Sequence, residues 1–313
     1  MTTNSAGNTG ERGHVTRAET RGDDYEHIVW PYRLILPLLF VVAGYVHLKK
    51  WVFSLFDSSP KTNFWLVDGV STSSRLVKEG AARWRALDVT YNFSSALGNN
   101  LLSRKFDTFW MQIRNAQAVR NRLKIARREL RLAILSAAKR TQRSVRVLSL
   151  AAGSAQGVID TIAALKEEGV KVEVLLIDQD PTALAYAQVL AERHGVLDVI
   201  KTRQGNVLFF NRLTDGFSPD VVEMLGLLDY LRDSTAIPLI RKIRGVLPAG
   251  GHFLTCHVHP NLERYFLDKV VDWKMLYRSV GSFDDLMCAS GFLGTHFFME
   301  PHGIHSVAVA KKA

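Results

Sequence analysis

Cysteine is nearly absent. Cys256 and Cys288 are the two thiols in 313 residues, and their spacing fits neither a zinc ligand set nor a CxxC redox pair. Two scattered thiols fit a reducing compartment. Charged residues make up 22% against 47% hydrophobic, which excludes a chain disordered throughout. No secretory signal peptide is expected, because the first apolar run begins too late. There is no internal repeat and no low-complexity tract beyond the first 27 residues. A long uninterrupted hydrophobic run is also missing: the uncharged stretch Leu34–Val46 covers thirteen residues, whereas a membrane-crossing helix needs about 20.

What is present divides into four parts. Residues 1–27 are rich in Thr, Asn, Gly, Arg and Asp and read as a disordered tail. Residues 28–56 are the most hydrophobic stretch. Arg33, Lys49 and Lys50 flank its centre, and Trp30, Tyr32, Tyr45 and Trp51 stand where interfacial aromatics would stand. This segment is expected either to associate with a membrane, as a short, tilted or interfacial helix, or to pack as a buried helix kinked at Pro37. The expected location is cytoplasmic, with membrane association through 28–56. Residues 57–144 are helical and basic. Ser71–Leu87 is expected to form one amphipathic helix. Arg114–Ala138 has no Gly or Pro, and Ala116, Val119, Leu123, Ala126, Leu130, Ile134 and Ala137 recur at helical spacing. From Leu101 to Arg146 there are thirteen Lys and Arg against Asp107 and Glu129, so this segment accounts for the whole net charge of +10. A basic amphipathic helix suits an anionic membrane surface, an acidic carrier partner or nucleic acid. Aromatics are not interleaved with the charges after Trp110, which argues against base stacking.

From residue 145 to 313 the pattern changes. Short apolar runs at Val145–Leu150, Val172–Ile177, Val199–Thr202, Val221–Leu225, His252–His257, His296–Glu300 and Ser306–Ala310 read as strands. Between them lie helical stretches at Gly157–Glu168, Pro181–His194, Ala236–Val246, Asn261–Val271 and Phe283–Ser290. The alternation predicts a Rossmann-like α/β domain, a mostly parallel seven-stranded sheet with helices on both faces, preceded by the helical region.

The first strand runs into Ala151-Ala-Gly-Ser-Ala-Gln-Gly157. A small-residue turn before a helix lets a ligand approach backbone N–H groups. The second strand ends at Asp178, where a carboxylate meets ribose hydroxyls in nucleoside sites. Arg203-Gln-Gly-Asn-Val207 follows the third strand, and Gly245-Val-Leu-Pro-Ala-Gly-Gly251 precedes the fifth. In this order the motifs resemble those of class I S-adenosylmethionine (SAM) dependent methyltransferases over residues 145–313. Gly226-Leu-Leu-Asp-Tyr-Leu231 and Asp272-Trp-Lys-Met-Leu-Tyr-Arg278, with Asn115–Arg122 upstream, resemble the bacterial methyltransferases similar to the enzyme that forms 3-hydroxypalmitic acid methyl ester. The resemblance implies SAM as cofactor, held by Ala151, Ala152, Gly153, Ser154, Asp178, Gln179, Gly205, Asn206, Val207 and Leu225. It also departs from the family pattern. Ser149 stands where the family has an acid before the turn, Ala151 and Ala155 replace two glycines, and Asn206 replaces the acid after strand three. Alanine is expected to fit that turn only at negative φ.

Methyl transfer from a sulfonium needs proximity and orientation, and sometimes a base for the acceptor. His257, His259, Tyr230 and Arg278 are the candidate catalytic residues on the acceptor side. His296, His302 and His305 match no standard zinc spacing, so no metal is expected. The region Glu223-Met-Leu-Gly lacks the Asn/Asp-Pro-Pro-Tyr signature of adenine amino methylation. The expected activity is methylation of a small-molecule or lipid-like acceptor. The alternatives are a nucleic-acid methyltransferase or binder using the basic helix, and a non-catalytic membrane protein with a degenerate SAM fold.

Overall fold

The apolar runs predicted as strands lie side by side in one twisted sheet. The computed structural model describes residues 13–17, 25–27, 32–60, 62–81, 83–94 and 100–313. Among the described residues a short strand β1 (His14–Arg17) comes first, followed by five α-helices: α1 (Tyr32–Ser54), α2 (Thr72–Glu79), α3 (Trp84–Tyr91), α4 (Leu101–Met111) and α5 (Arg114–Arg140). Then strands and helices alternate: β2 (Val145–Leu150), α6 (Gln156–Glu167), β3 (Val172–Asp178), α7 (Pro181–Arg193), β4 (Ile200–Gln204), β5 (Val221–Met224), α8 (Asp233–Val246) and β6 (His252–Val258). The chain closes with α9 (Arg264–Lys269), α10 (Val280–Ala289), β7 (His296–Met299) and β8 (His305–Lys311).

The strand order is β1-β7-β8-β6-β5-β2-β3-β4. All pairings are parallel except those of β8, which runs antiparallel to β6 and β7. The seven expected strands are all present, and β1 is an eighth at the edge. The chain leaves β2 toward β3 and β4, then returns to the other side of β2 as β5. That reversal opens a crevice at the carboxyl ends of β2 and β5, where ligands bind in open α/β sheets. The central strands are buried on both faces, which explains their near-continuous apolar runs.

Two expectations for the N-terminal half are corrected. The tail is not wholly structureless. His14–Arg17 pairs in register with His296–Met299, the ring of Tyr25 is buried, and Asn121 Oδ1 accepts from Glu26 N at 2.8 Å. Backbone pairing to an open sheet edge requires no apolar periodicity, so composition did not show it. The single helix expected over Ser71–Leu87 is split into α2 and α3. Gly80 closes α2, and a Cβ there would stand 2.9 Å from the Ala86 amide, so the chain turns back too tightly for one continuous helix.

Helix α5 is the spine between the helical region and the sheet, with Ile125, Ala126, Leu130, Ala133, Ile134 and Ala137 buried. Many of its cations are used inside the protein. Arg120 pairs with Glu26, Arg127 with Asp160, Arg128 with Glu129 and Arg131 with Glu168. Along this stretch the basic helix carries carboxylate partners beside its cations. Its N-terminus is tied to the sheet domain by Glu263, which accepts from the Arg114 and Asn115 amides at 3.0 and 2.9 Å.

Helix α1 is two-faced. Leu39, Val42, Ala43 and Val46 are buried in a core shared with Trp110, Phe266 and Val270. Leu38, Val41, Tyr45, Leu48 and Trp51 on the other side are exposed. By length and composition Leu36–Ser54 is long and apolar enough to cross a membrane, with 22% of it buried inside the protein.

Candidate functional site

The crevice at the carboxyl edge is a cleft of ≈ 660 Å³. Its floor is the turn after β2. Asp178, the last residue of β3, organises it with both carboxylate oxygens. Oδ2 accepts from the Gly153 amide and Oδ1 from the Asp180 amide, each at 2.8 Å. Asp180 in turn caps α7, whose first residue is Pro181, the position where a missing N–H costs nothing. One carboxylate thus ties the turn after β2 to the start of α7.

The turn keeps a glycine-type backbone without its glycines. Ala151 and Ala155 have φ of 53° and 51°, beside Gly153 at 55°. The expectation that alanine there needs negative φ is corrected. The left-handed region costs an L-residue about 1–2 kcal/mol. It is held open by Asp178 on Gly153 and by the Ala152 amide on the Ile177 carbonyl at 3.1 Å. At Gly153 a Cβ would also come within 3.3 Å of Trp84 Cβ, so the side-chain-free surface is needed there.

The acid expected before the turn is supplied from the next strand. Ser149 and Glu223 are register partners in β2 and β5, and Ser149 Oγ donates to Glu223 Oε2 at 2.5 Å. Glu223 lines the cleft. Burial pushes its carboxyl up to about 7, against the lowering effect of the Ser149 hydrogen bond.

Nine of the ten expected cofactor residues line the cleft: Ala151, Ala152, Gly153, Ser154, Asp178, Gln179, Asn206, Val207 and Leu225. Gly205 does not. A Cβ there would meet Leu213 at 2.4 Å, so Gly205 is a packing position. The Asn206 side chain accepts from the Leu208 amide and caps the following 3-10 turn.

The roof comes from the helical region. Arg83, Trp84, Leu87 and Tyr91 of and beside α3 line the cleft, as does Trp273. Trp84 packs against Tyr186 with ring centroids 4.9 Å apart, and its Nε1 donates to Thr182 Oγ1 at 3.2 Å. At the other end Asn92 and Gln156 exchange two hydrogen bonds of 3.0 Å. Helix α3 thus bridges α6 and α7 across the crevice.

Beside the cleft lies a second, apolar cavity of ≈ 70 Å³. Leu87, Gly226, Tyr230 and Trp273 line both spaces, so the two share a wall. Of the four candidate catalytic residues, Tyr230 alone is in that wall, its Oη accepting from Trp273 Nε1 at 2.6 Å. His257, His259 and Arg278 line neither space, which corrects their acceptor-facing placement. Arg278 donates to Asp233 and, through Nη1 at 3.3 Å, to His257 Nε2. That leaves His257 Nδ1 to carry the proton toward Asp229 Oδ1, 2.8 Å away. His259 Nδ1 lies 2.7 Å from the Arg278 carbonyl and Nε2 2.8 Å from Ser306 Oγ, and burial holds its imidazole below the ordinary pKa. These residues hold the Asp229 loop in place from behind.

The comparisons agree with this geometry. The family model described as "Putative methyltransferase" matches residues 38–312. The chain belongs to this methyltransferase family. The match begins within α1, so the helical roof lies inside the matched region. A "possible exported protein" from Bordetella parapertussis has a similar structure, with a TM-score of 0.66, 18% identity, and 91% of this chain and 99% of that one covered. The CMeT domain of the citrinin polyketide synthase superposes with a TM-score of 0.51 at 13% identity, over 75% of this chain and 66% of that one. At these identities the likeness establishes the fold. No curated protein matches the sequence. Family and fold together make the chain a SAM-dependent methyltransferase. The cleft fits that cofactor, with a carboxylate at a strand tip, a turn without projecting side chains, and aromatic Trp84 and Tyr91 on the roof.

Two outcomes follow for this loop. Ala151→Gly relieves a left-handed alanine and raises unfolding stability by about 1 kcal/mol, as read by urea denaturation. The Glu223 carboxyl titrates in the fold near 7, above its unfolded value of 4.5, so its contribution is full below 4.5 and falls as pH rises through about 7. Glu223→Gln flattens that fall, measured as denaturation midpoints across the same range.

Proposed function

We propose that the protein transfers the methyl group of SAM to a small-molecule or lipid-like acceptor that presents its reacting end at the apolar cavity. The observation that carries this reading is the wall shared by cavity and cleft, formed by Leu87, Gly226, Tyr230 and Trp273. When bound, SAM supplies an electrophilic methyl group. The residues of the chain do the rest by placement. Asp178 and the Ala151–Ala155 turn hold the nucleoside end, and α3 shields it. Tyr230 and Trp273 define where the acceptor meets the cleft. The positions of His257 and His259 behind the wall support a reaction driven mainly by proximity and orientation.

Isothermal titration with S-adenosylhomocysteine (SAH) tests the reading. The wild type binds, and Asp178→Ala weakens binding by about 10- to 100-fold, the effect of losing hydrogen bonds to a charged group. Absence of SAH binding, together with an Asp178→Ala variant that behaves like wild type, overturns it.

The outer face of α1 supports a working site at an anionic membrane surface, consistent with the net charge of +10. The commitment of Leu39, Val42, Ala43 and Val46 to the protein core supports a helix that lies along the interface and does not cross it. Wild-type protein is expected to sediment with phosphatidylglycerol vesicles. Val41→Asp with Trp51→Asp should lower that binding by about tenfold or more, as loss of two buried apolar side chains implies. Wild-type protein left in the supernatant contradicts the membrane role.

A further inference from the structure

The apolar cavity has one polar corner, and some of its polar atoms have no partner among the described residues. Arg122 reaches it from α5 with a side chain 3% exposed. Its Nη2 donates to Tyr91 Oη at 2.9 Å. Its Nε has no hydrogen-bond partner among the described residues. Its Nη1 stands 3.9 Å from Asp229 Oδ2, which is ion-pair range but too long for a hydrogen bond. Asp229 also lines the cavity. Its Oδ1 is taken by the Val258 amide at 2.9 Å and by His257, while Oδ2 faces Arg122. His305 lines the same corner, and its buried Nδ1 likewise has no partner among the described residues.

A gap of 3.9 Å between a fixed donor and a fixed acceptor has a natural occupant. An oxygen about 2.8 Å from each subtends nearly a right angle, so one hydroxyl can accept from Arg122 and donate to Asp229. The charges select against other groups. Burial pushes the Asp229 carboxyl up, but the His257 hydrogen bond and the Arg122 guanidinium outweigh it and hold the carboxyl below its ordinary value. An incoming carboxylate would face that anion, and an incoming ammonium would face the Arg122 guanidinium. His305, held neutral by burial and by Arg122, adds no charge. The remaining wall is apolar, with Val77, Trp110, Phe266 and Val271 among its residues. The volume of ≈ 70 Å³ limits what enters; a cavity of about 150 Å³ holds a benzene ring.

We propose that this cavity is a subsite for a small neutral hydroxyl-bearing group, a short aliphatic alcohol and not an aromatic ring, with its hydroxyl seated between Arg122 and Asp229. The proposal deepens the methyltransferase reading, since it names the chemistry of the acceptor that the shared wall would present to the cleft. It assigns Arg122 and Asp229 to acceptor recognition, and Tyr91, which lines the cleft, to positioning the guanidinium.

The test uses the full chain and three compact probes of similar shape: 2-propanol, 2-chloropropane and acetate. Trp110 and Trp273 line the cavity and report occupancy by fluorescence. The expected result is 2-propanol binding at least tenfold tighter than either 2-chloropropane or acetate. Asp229→Asn keeps the shape and removes the charge, and should bring acetate within threefold of 2-propanol. 2-Chloropropane binding as tightly as 2-propanol, or acetate more tightly, overturns the proposal. If Asp229→Asn does not fold, the wild-type comparison alone decides. SAH is titrated in parallel by calorimetry. Failure of SAH to bind defeats the methyltransferase reading, while the order of the three probes still decides the subsite.

Discussion

The Asp178 carboxylate is the constraint around which the site is built. Its two oxygens hold the Gly153 and Asp180 amides, and so fix the turn after β2 against the start of α7. Without that clamp, nothing in the local sequence favours left-handed backbone at Ala151 and Ala155. Hydrogen bonds to a charged acceptor contribute about 1.5–3 kcal/mol each, enough to offset about 1–2 kcal/mol of strain at each alanine. The altered glycine loop is therefore a retained shape with a changed composition. The acid displaced from strand β2 reappears as Glu223 on β5, hydrogen-bonded to the serine that stands in the acid's usual place.

The sheet was legible where burial made it so. The central strands lie between two helical layers, and their sequences are nearly continuous apolar runs with sharp ends. Val145–Leu150 is assigned to the residue, and Asp178 stands out because an acid terminates an apolar strand. β1 carries no such signal. It is four residues long, it pairs only through its backbone, and its partner β7 is far along the chain. Helix α3 was hidden for a related reason. It is eight residues long, Arg83 before it makes no side-chain cap, and its function depends on contacts to Thr182, Tyr186 and Gln156.

The site was legible in part. Residues contributed by one strand tip and the turn beside it were found, because their neighbours in sequence are their neighbours in space. The Ser149–Glu223 pair joins positions 74 residues apart, and only strand register brings them together. His257 and His259 were correctly placed at the carboxyl edge of a strand. Which side of a wall a side chain occupies depends on packing across the sheet edge, here by Arg278 and Ser306. Arg122 shows the opposite case. Among thirteen basic residues in its segment it has no distinguishing sequence context, and its burial beside Asp229 sets it apart.

The short strand β1 has one more consequence. A sheet edge is a template on which another chain can polymerise. Without β1, the outer side of β7 would present open backbone groups next to the aromatic residues Phe297 and Phe298. With β1 in place the sheet ends on four residues. The opposite edge ends on β4, where Lys201 and Arg203 add charge. Both ends of the sheet are thereby made poor seeds for strand-to-strand aggregation, and the N-terminal residues act as a guard on the colloidal stability of the folded protein.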